Sequence, residues 1–231
     1  MTDLDLAPLD DPFGSALRGR QRRFARHRGR VCAYDPEVSV FYAHPRDLTA
    51  GDWDDLAVLA GPGGTIGLRD RQSPLPDGWE PLTTFDLVLY SGEDLATAPD
   101  PELVRLGPGD VPEIIELIAA TEPGPFLPRT LDLGTYLGYR DPDDGRLLAM
   151  AGERSKPDGW TEISAVCTHP AARGAGLATR LIRAVGDGVV AAGDRPFLHT
   201  TADNPARSLY ENLGFVRRAQ IPLDIVRVPT S

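Results

Sequence analysis

The stretch that most constrains the fold of this chain is a strand–turn–helix junction between residues 160 and 185. Trp160-Thr161-Glu162-Ile163-Ser164-Ala165-Val166-Cys167-Thr168 reads as a strand, and residues 177–185 read as a helix. Between them lies Arg173-Gly174-Ala175-Gly176-Leu177-Ala178. Glycine allows dihedrals closed to other residues and lets a ligand approach the backbone. The first amides of a helix have no internal partner and sit at the positive end of its dipole. A glycine turn feeding such an end makes an anion cradle suited to a phosphate or pyrophosphate.

Three phosphate-binding patterns compete for this turn. A P-loop needs a Lys-Ser/Thr pair closing a longer glycine loop, and the turn has none. A dinucleotide fold needs Gly-x-Gly-x-x-Gly with an acid about 20 residues on. Gly174 and Gly176 fit that spacing, but Thr179 stands where the third glycine belongs. The third pattern, Arg-x-x-Gly-x-Ala from Arg173 to Ala178, resembles the Arg/Gln-x-x-Gly-x-Gly/Ala motif of the GNAT superfamily, the acyl-CoA-dependent N-acyltransferases.

A second block strengthens the resemblance. Asn204-Pro205-Ala206 and Leu209-Tyr210-Glu211-Asn212-Leu213-Gly214-Phe215 look like the second GNAT signature, in the style of the FR47-like branch. The pattern predicts a short helix with Asn204 as N-cap, Pro205 at its first position and Gly214 just past its end. In many relatives the Asn lies three residues before the Ala; here Asn204 lies two before Ala206, and Asp203 has the commoner spacing.

Composition narrows the alternatives. A formal net charge of −10 argues against general nucleic-acid affinity. No apolar run approaches the roughly 18 residues of a membrane span. The start, Met1-Thr2-Asp3-Leu4-Asp5, is unlike a signal peptide. Cys32 and Cys167 are far apart and form no metal spacing, so the expectation is a cytoplasmic protein without a metal. Cys167 reads as a small buried residue rather than a nucleophile, since no His is near it in sequence. Arginine stands almost everywhere for lysine, the habit of a GC-rich bacterial genome. The run from Arg18 to Arg30 reads as a solvated or salt-bridged helix rather than an anion site.

Along the chain, residues 1 to about 12 read as a loose tail and 15–28 as a helix. Residues 37–43, 66–68 and 82–90 read as strands, and 52–60 as a helix capped by Asp52. Residues 91–101 read as a linker. From 102 on, the expected order is β-α-α-β-β-β-α-β-α-β-β, the GNAT order, with Asp110 capping the first helix, a hairpin through 143–145, and residues 215–228 supplying two closing strands. The expected fold class is α/β (α+β): a mixed central sheet flanked by helices. The expected division is an N-terminal α/β region, 1–98, of unknown role, compatible with a degenerate GNAT-like half, and a GNAT domain over 102–228.

Acyl transfer from a thioester to an amine needs a neutral amine, donors for the tetrahedral oxyanion and a proton for the thiolate. Glu162 is the expected base: it lies mid-strand, eleven residues before Arg173, a spacing that resembles the general-base Glu of the histone-acetyltransferase branch. The plainer reading is a surface carboxylate or an anchor for a substrate ammonium. Glu153, Asp158 and Glu122 are weaker candidates, and His27, His44, His169 and His199 read as structural. The resemblance implies that Tyr210 protonates the leaving thiolate, and that backbone groups of Val166, Cys167 and Thr168 pair with the pantetheine arm. It further implies a pyrophosphate on the amides of Gly174, Ala175, Gly176, Leu177, Ala178 and Thr179, with charge from Arg173 and a contact from Asn204.

The expected activity is transfer of an acetyl group from acetyl-CoA to a primary amine on a small molecule. The alternative is a non-catalytic CoA-binding regulatory or partner-binding module. A third reading, acylation of a protein lysine or N-terminus, requires a groove beside Glu162. No nucleic-acid or membrane partner is expected, and a homodimer is left open.

Overall fold

A computed structural model of the chain describes residues 5–230; residues 1–4 of the expected tail lie outside the described residues. In chain order the first half comprises α1 (Pro12–Arg18), β1 (Ala25–Arg28), β2 (Val31–Tyr34), β3 (Tyr42–Ala43), α2 (Ala50–Ala60), β4 (Thr65–Arg69) and β5 (Glu80–Ser91). The second half comprises β6 (Val104–Arg105), α3 (Val111–Thr121), β7 (Tyr136–Arg140), β8 (Leu147–Glu153), β9 (Trp160–Thr168), α4 (Leu177–Ala191), β10 (Arg195–Thr201), α5 (Arg207–Asn212) and β11 (Val216–Arg227).

Eight strands form one mixed sheet in the order β4-β11-β5-β10-β9-β8-β7-β6. Neighbours are antiparallel except β9 and β10, which run parallel. This is the expected mixed sheet with flanking helices. Strand β5, from the first hundred residues, lies between β10 and β11 and pairs with both. The expected division at 98–102 therefore runs between strands that share one sheet. A single long β11 stands where two closing strands were expected, and β5 fills the place beside β10.

Helix α4 covers one face of the sheet. Leu177, Leu181, Ile182, Val185 and Val189 recur every three or four residues and pack on Val88, Ala149, Ile163 and Leu198. Burying each such side chain contributes roughly 1.5–3 kcal/mol, so this stripe is a principal anchor of the helix. On the other face, Ile114 and Leu117 of α3 pack on Tyr136, Met150 and Cys167. Further along that face, Leu9 packs on Leu89, Trp160 and Phe197, and Phe13 and Leu17 of α1 pack on β2. The small sheet β1-β2-β3 and α2 complete the N-terminal layer.

Several local expectations change. The supposed tail is docked: Leu9 is buried and the Trp160 indole donates to the Asp5 carbonyl. The helix expected over 15–28 is α1 followed by a 3-10 turn and β1, since the chain turns at Gly19. The arginines there are mostly ion-paired, Arg18 with Asp11, Arg20 with Asp194, Arg28 with Asp55 and Arg30 with Asp52. The strand expected over 37–43 shrinks to β3. Thr49, not Asp52, caps α2; Asp52 closes a capping box with it from the third helical position. Asp110 makes no side-chain cap to α3 and instead accepts from Gly107 N and pairs with Arg140. The second helix expected after α3 is only a 3-10 turn over Thr130–Leu133, beyond a proline-rich stretch that removes backbone donors.

Gly214 ends the α5 segment with φ of 98°, and a Cβ there would sit 2.3 Å from the Asp94 carbonyl oxygen. Gly159 also has positive φ but open space around it. Gly214→Ala adds a backbone clash to the left-handed strain and is expected to cost about 3 kcal/mol, whereas Gly159→Ala is expected to cost about 1 kcal/mol. Urea unfolding of the two variants checks the contrast.

Candidate functional site

The site begins where β9 and β10 part. Their parallel pairing runs through Arg195–Trp160 and Pro196–Thr161 and ends at Phe197–Glu162. Beyond it β10 continues to pair with β5, and β9 with β8. The β8–β9 register shifts between Met150 and Gly152, and Ala165 in this bulge has φ of 53°. A bulge bends its strand, so β9 turns just after it leaves β10. The result is an opening into a cavity of about 410 Å³.

Ser164, Ala165 and Val166 line the cavity from β9, and Leu198, His199 and Thr200 from β10. The N-terminal layer adds Phe13, Phe41, Tyr42 and Arg69, and Glu122 to Pro125 add one rim. The Nε atom of Arg69 is buried without a hydrogen-bond partner.

Glu162 sits at the vertex, fully buried. Its carboxylate accepts from Arg154 Nε at 2.9 Å and Nη2 at 2.6 Å, and from Ser155 N. His199 Nδ1 lies 2.9 Å from the same carboxylate. Burial by itself pushes the Glu162 carboxyl up, but Arg154 beside it and the His199 hydrogen bond hold it well below the usual range. A carboxylate so stabilised accepts a proton poorly. An ion-paired carboxylate is a weaker base than the one expected of Glu162, and its full burial does not fit the plainer reading of a surface carboxylate.

Arg154 follows β8 directly. Its carbonyl accepts from Gln21, whose Oε1 accepts from Tyr34 and from Lys156 N, and its guanidinium lies 4.6 Å over the Phe41 ring. The N-terminal layer thus fixes the partner of Glu162. His199 is buried too, stacked on Phe13, and its Nε2 has no hydrogen-bond partner. Burial pushes the imidazole pKa down, and the Glu162 hydrogen bond opposes this without reversing it.

Tyr210, on α5, also lines the cavity. It packs with Tyr90 and Phe215, and burial pushes its phenol up to about 12, so it holds its proton at neutral pH. Tyr210 belongs to the cluster under α4, whereas His199 stacks on Phe13 of the opposite layer. The two therefore flank the opening from opposite faces. Asn204 lines the cavity, and its Oδ1 accepts from Ala206 N, so it caps a turn ahead of α5 rather than the helix itself.

The glycine turn follows the C-terminal end of β9, just past a 3-10 turn over Pro170–Ala172. Gly174 and Gly176 have φ of 85° and 74°, and nothing lies within 4 Å of a Cβ built on either. Gly176 is the N-cap of α4 and makes no side-chain cap, so the amides of Leu177, Ala178 and Thr179 have none to satisfy them. Arg173, Gly174, Ala175 and Gly176 are exposed. Cys167 is buried among α3 side chains and its thiol is pushed up to about 11 by burial, which fits a small core residue. Val166 and Thr168 are half-buried, and Thr168 Oγ1 has no hydrogen-bond partner.

Of the weaker candidates, Glu153 pairs with Lys156 and accepts from Thr135 N, and Asp158 is exposed. Arg154, Arg69, Phe13 and Phe41 escaped the sequence reading, and His199 was read there as structural. Only Arg154, eight residues before Glu162 across the β8–β9 hairpin, left a trace there; the others come from distant segments.

The chain has clear relatives. A family model described as FR47-like protein matches residues 136–221. Among solved structures, the chain is similar to one described as a GNAT-family acetyltransferase from Novosphingobium aromaticivorans, 38% identical over 95% of this chain and 97% of that one, with a TM-score of 0.84. It is also similar to a GCN5-related N-acetyltransferase from Kribbella flavida (18% identity, 94% of this chain and 95% of that one, TM-score 0.61). Another such protein, from Sphaerobacter thermophilus, is 19% identical over 81% of this chain and 71% of that one, with a TM-score of 0.51. At those identities the latter two bear on the fold alone. No curated protein matches the chain.

Removing the Glu162 charge leaves the Arg154 guanidinium buried and uncompensated, which is expected to cost about 3–5 kcal/mol in Glu162→Gln. The folded carboxyl titrates below its unfolded value of about 4.3, so its contribution is full above that pH and fades as pH falls toward the folded pKa. The stability gap between wild type and Glu162→Gln is therefore expected to be narrower at pH 3 than at pH 7, as read by urea unfolding.

Proposed function

The chain belongs to the GNAT superfamily of N-acetyltransferases, and on that premise we propose that it transfers an acetyl group from acetyl-CoA to a primary amine on a small molecule. The observation that carries this reading is the opening between β9 and β10, lined by Tyr210, with an uncapped helix end following β9 in the chain.

The residues fit the co-substrate. The amides of Gly174 to Thr179 suit a pyrophosphate, and the open space at both glycines leaves room for it. Arg173 adds exposed positive charge beside it. The edge of β9 beyond Glu162 has lost its β10 partner, so backbone groups of Val166, Cys167 and Thr168 are the groups to pair with an extended pantetheine arm. Such an arm also brings polar atoms to the unpartnered Thr168 Oγ1. One β9 amide serves as oxyanion donor. Tyr210, a protonated phenol lining the cavity, is the group to pass its proton to the sulfur as the C–S bond breaks. The Asn204 amide nitrogen, left free by its turn, contacts the co-substrate from the α5 side.

The acceptor lies in the enclosed space under Phe13, Phe41 and Tyr42. A bounded cavity lined mainly by apolar side chains suits a small molecule with an apolar body better than a protein segment. The unpartnered Arg69 Nε favours an acceptor that also carries a carboxylate.

Calorimetric titration with acetyl-CoA is expected to show binding by the wild type and none by Gly176→Glu, which places a carboxylate in the anion cradle. Tyr210→Phe is expected to bind acetyl-CoA normally and to lose about 100-fold in kcat. In an amine panel scored by release of CoA thiol, apolar amino acids are expected to outrank their decarboxylated amines. Binding without thiol release for any amine would instead favour a CoA-binding regulatory module.

A further inference from the structure

The cavity contains one buried, unpartnered nitrogen that the reading above leaves unused. His199 has a side chain only 4% exposed, and its Nε2 has no hydrogen-bond partner among the described residues. Burying a polar atom without a partner is costly, and each instance calls for a reason. Its other nitrogen is fully accounted for. Glu162 is held ionised by Arg154 and can only accept, so His199 Nδ1 carries the hydrogen and donates it to Oε1. In the neutral ring that leaves the lone pair on Nε2.

The chain has set up three groups in series: a guanidinium anchored by the N-terminal layer, a carboxylate at the strand vertex, and an imidazole clamped between Phe13 and Phe197. A carboxylate that fixes the tautomer and plane of an imidazole is the arrangement by which a histidine is made a directed base. The charged groups around the ring are Glu162 from β9, Arg154 from the end of β8 and Arg69 from β4.

We propose that His199 Nε2 is the catalytic base that takes the proton from the acceptor ammonium, and that Glu162 is its positioning residue. The inference rests on the acetyl-transfer reading. His199 Nε2 accepts one proton from R–NH3+. The freed nitrogen pair forms the bond to the thioester carbonyl carbon, and the C–S pair leaves on sulfur. Tyr210 protonates that sulfur, and the second nitrogen proton restores Tyr210. The balance is R–NH3+ plus acetyl-CoA giving the amide, CoA thiol and one proton, which His199 returns to solvent.

His199→Gln keeps a donor for Glu162 but cannot accept the proton. With the best acceptor of an amine panel, kcat/KM is expected to fall at least about 100-fold while the acetyl-CoA dissociation constant stays within a factor of about two. His199→Ala is expected to regain activity when free imidazole is added, which a merely structural role would not allow. In the wild type, kcat is expected to fall on the acid side with the midpoint at which the His199 Cε1 resonance titrates. That comparison decides the matter even where both variants fail to fold. A folded His199→Gln that keeps wild-type kcat/KM, or an acid limb unrelated to the His199 resonance, overturns the inference and leaves the acetyl-transfer reading standing. A wild type that releases no CoA thiol with any amine overturns both.

Discussion

Everything at the centre of this molecule leans on the ion pair between Arg154 and Glu162. It sits where two parallel strands stop pairing, a place that in most sheets would be filled by apolar side chains. A carboxylate there is tolerated because Arg154 meets it with two hydrogen bonds and the Ser155 amide adds a third. Such a pair is a poor source of net stability, since desolvating both charges consumes most of the attraction. Its value lies in orientation. It fixes one nitrogen of His199, a residue that lines the cavity, and leaves the other nitrogen without a hydrogen-bond partner among the described residues.

The N-terminal layer is bound into this arrangement. Strand β5 supplies the partner of β10, so the sheet is incomplete without it. Gln21 holds the Arg154 carbonyl, Ser155 Oγ donates to the Pro12 carbonyl, and Phe13 and Phe41 roof the cavity. The first hundred residues therefore build one wall of the cavity and brace the ion pair at the vertex. In the proposed function the groups that would hold the co-substrate, the glycine turn, α4 and Tyr210, come from the second half alone.

The legible parts of the chain were those whose signal is local. The turn at Gly174 and Gly176, the apolar stripe of α4 and the glycine after α5 each need only neighbouring residues, and each stands where the pattern put it. Cap assignments were less secure: Thr49 and Asp52 both have capping oxygens, and which one caps depends on where the backbone turns. The arginine run misled because arginines interspersed with other residues suit a helix and a strand alike. Its Asp partners, at 11, 52, 55 and 194, are mostly remote and could not be paired from the sequence.

The sequence by itself determined the glycine turn ahead of α4, the order of the strands and helices around it, and the family to which they belong. These follow from dihedral freedom, helix ends and periodicity, which are properties of contiguous residues. Tertiary structure decided the chemistry of the vertex. Glu162 alone is a mid-strand carboxylate with an ordinary affinity for protons, and His199 alone is a core histidine. Only packing buries them together, adds Arg154, and so suppresses proton uptake by the carboxylate while leaving the imidazole nitrogen free. A titratable group's behaviour is set by its surroundings, and here those surroundings come from α1, β9, β10 and the end of β8, which only the closed fold brings together.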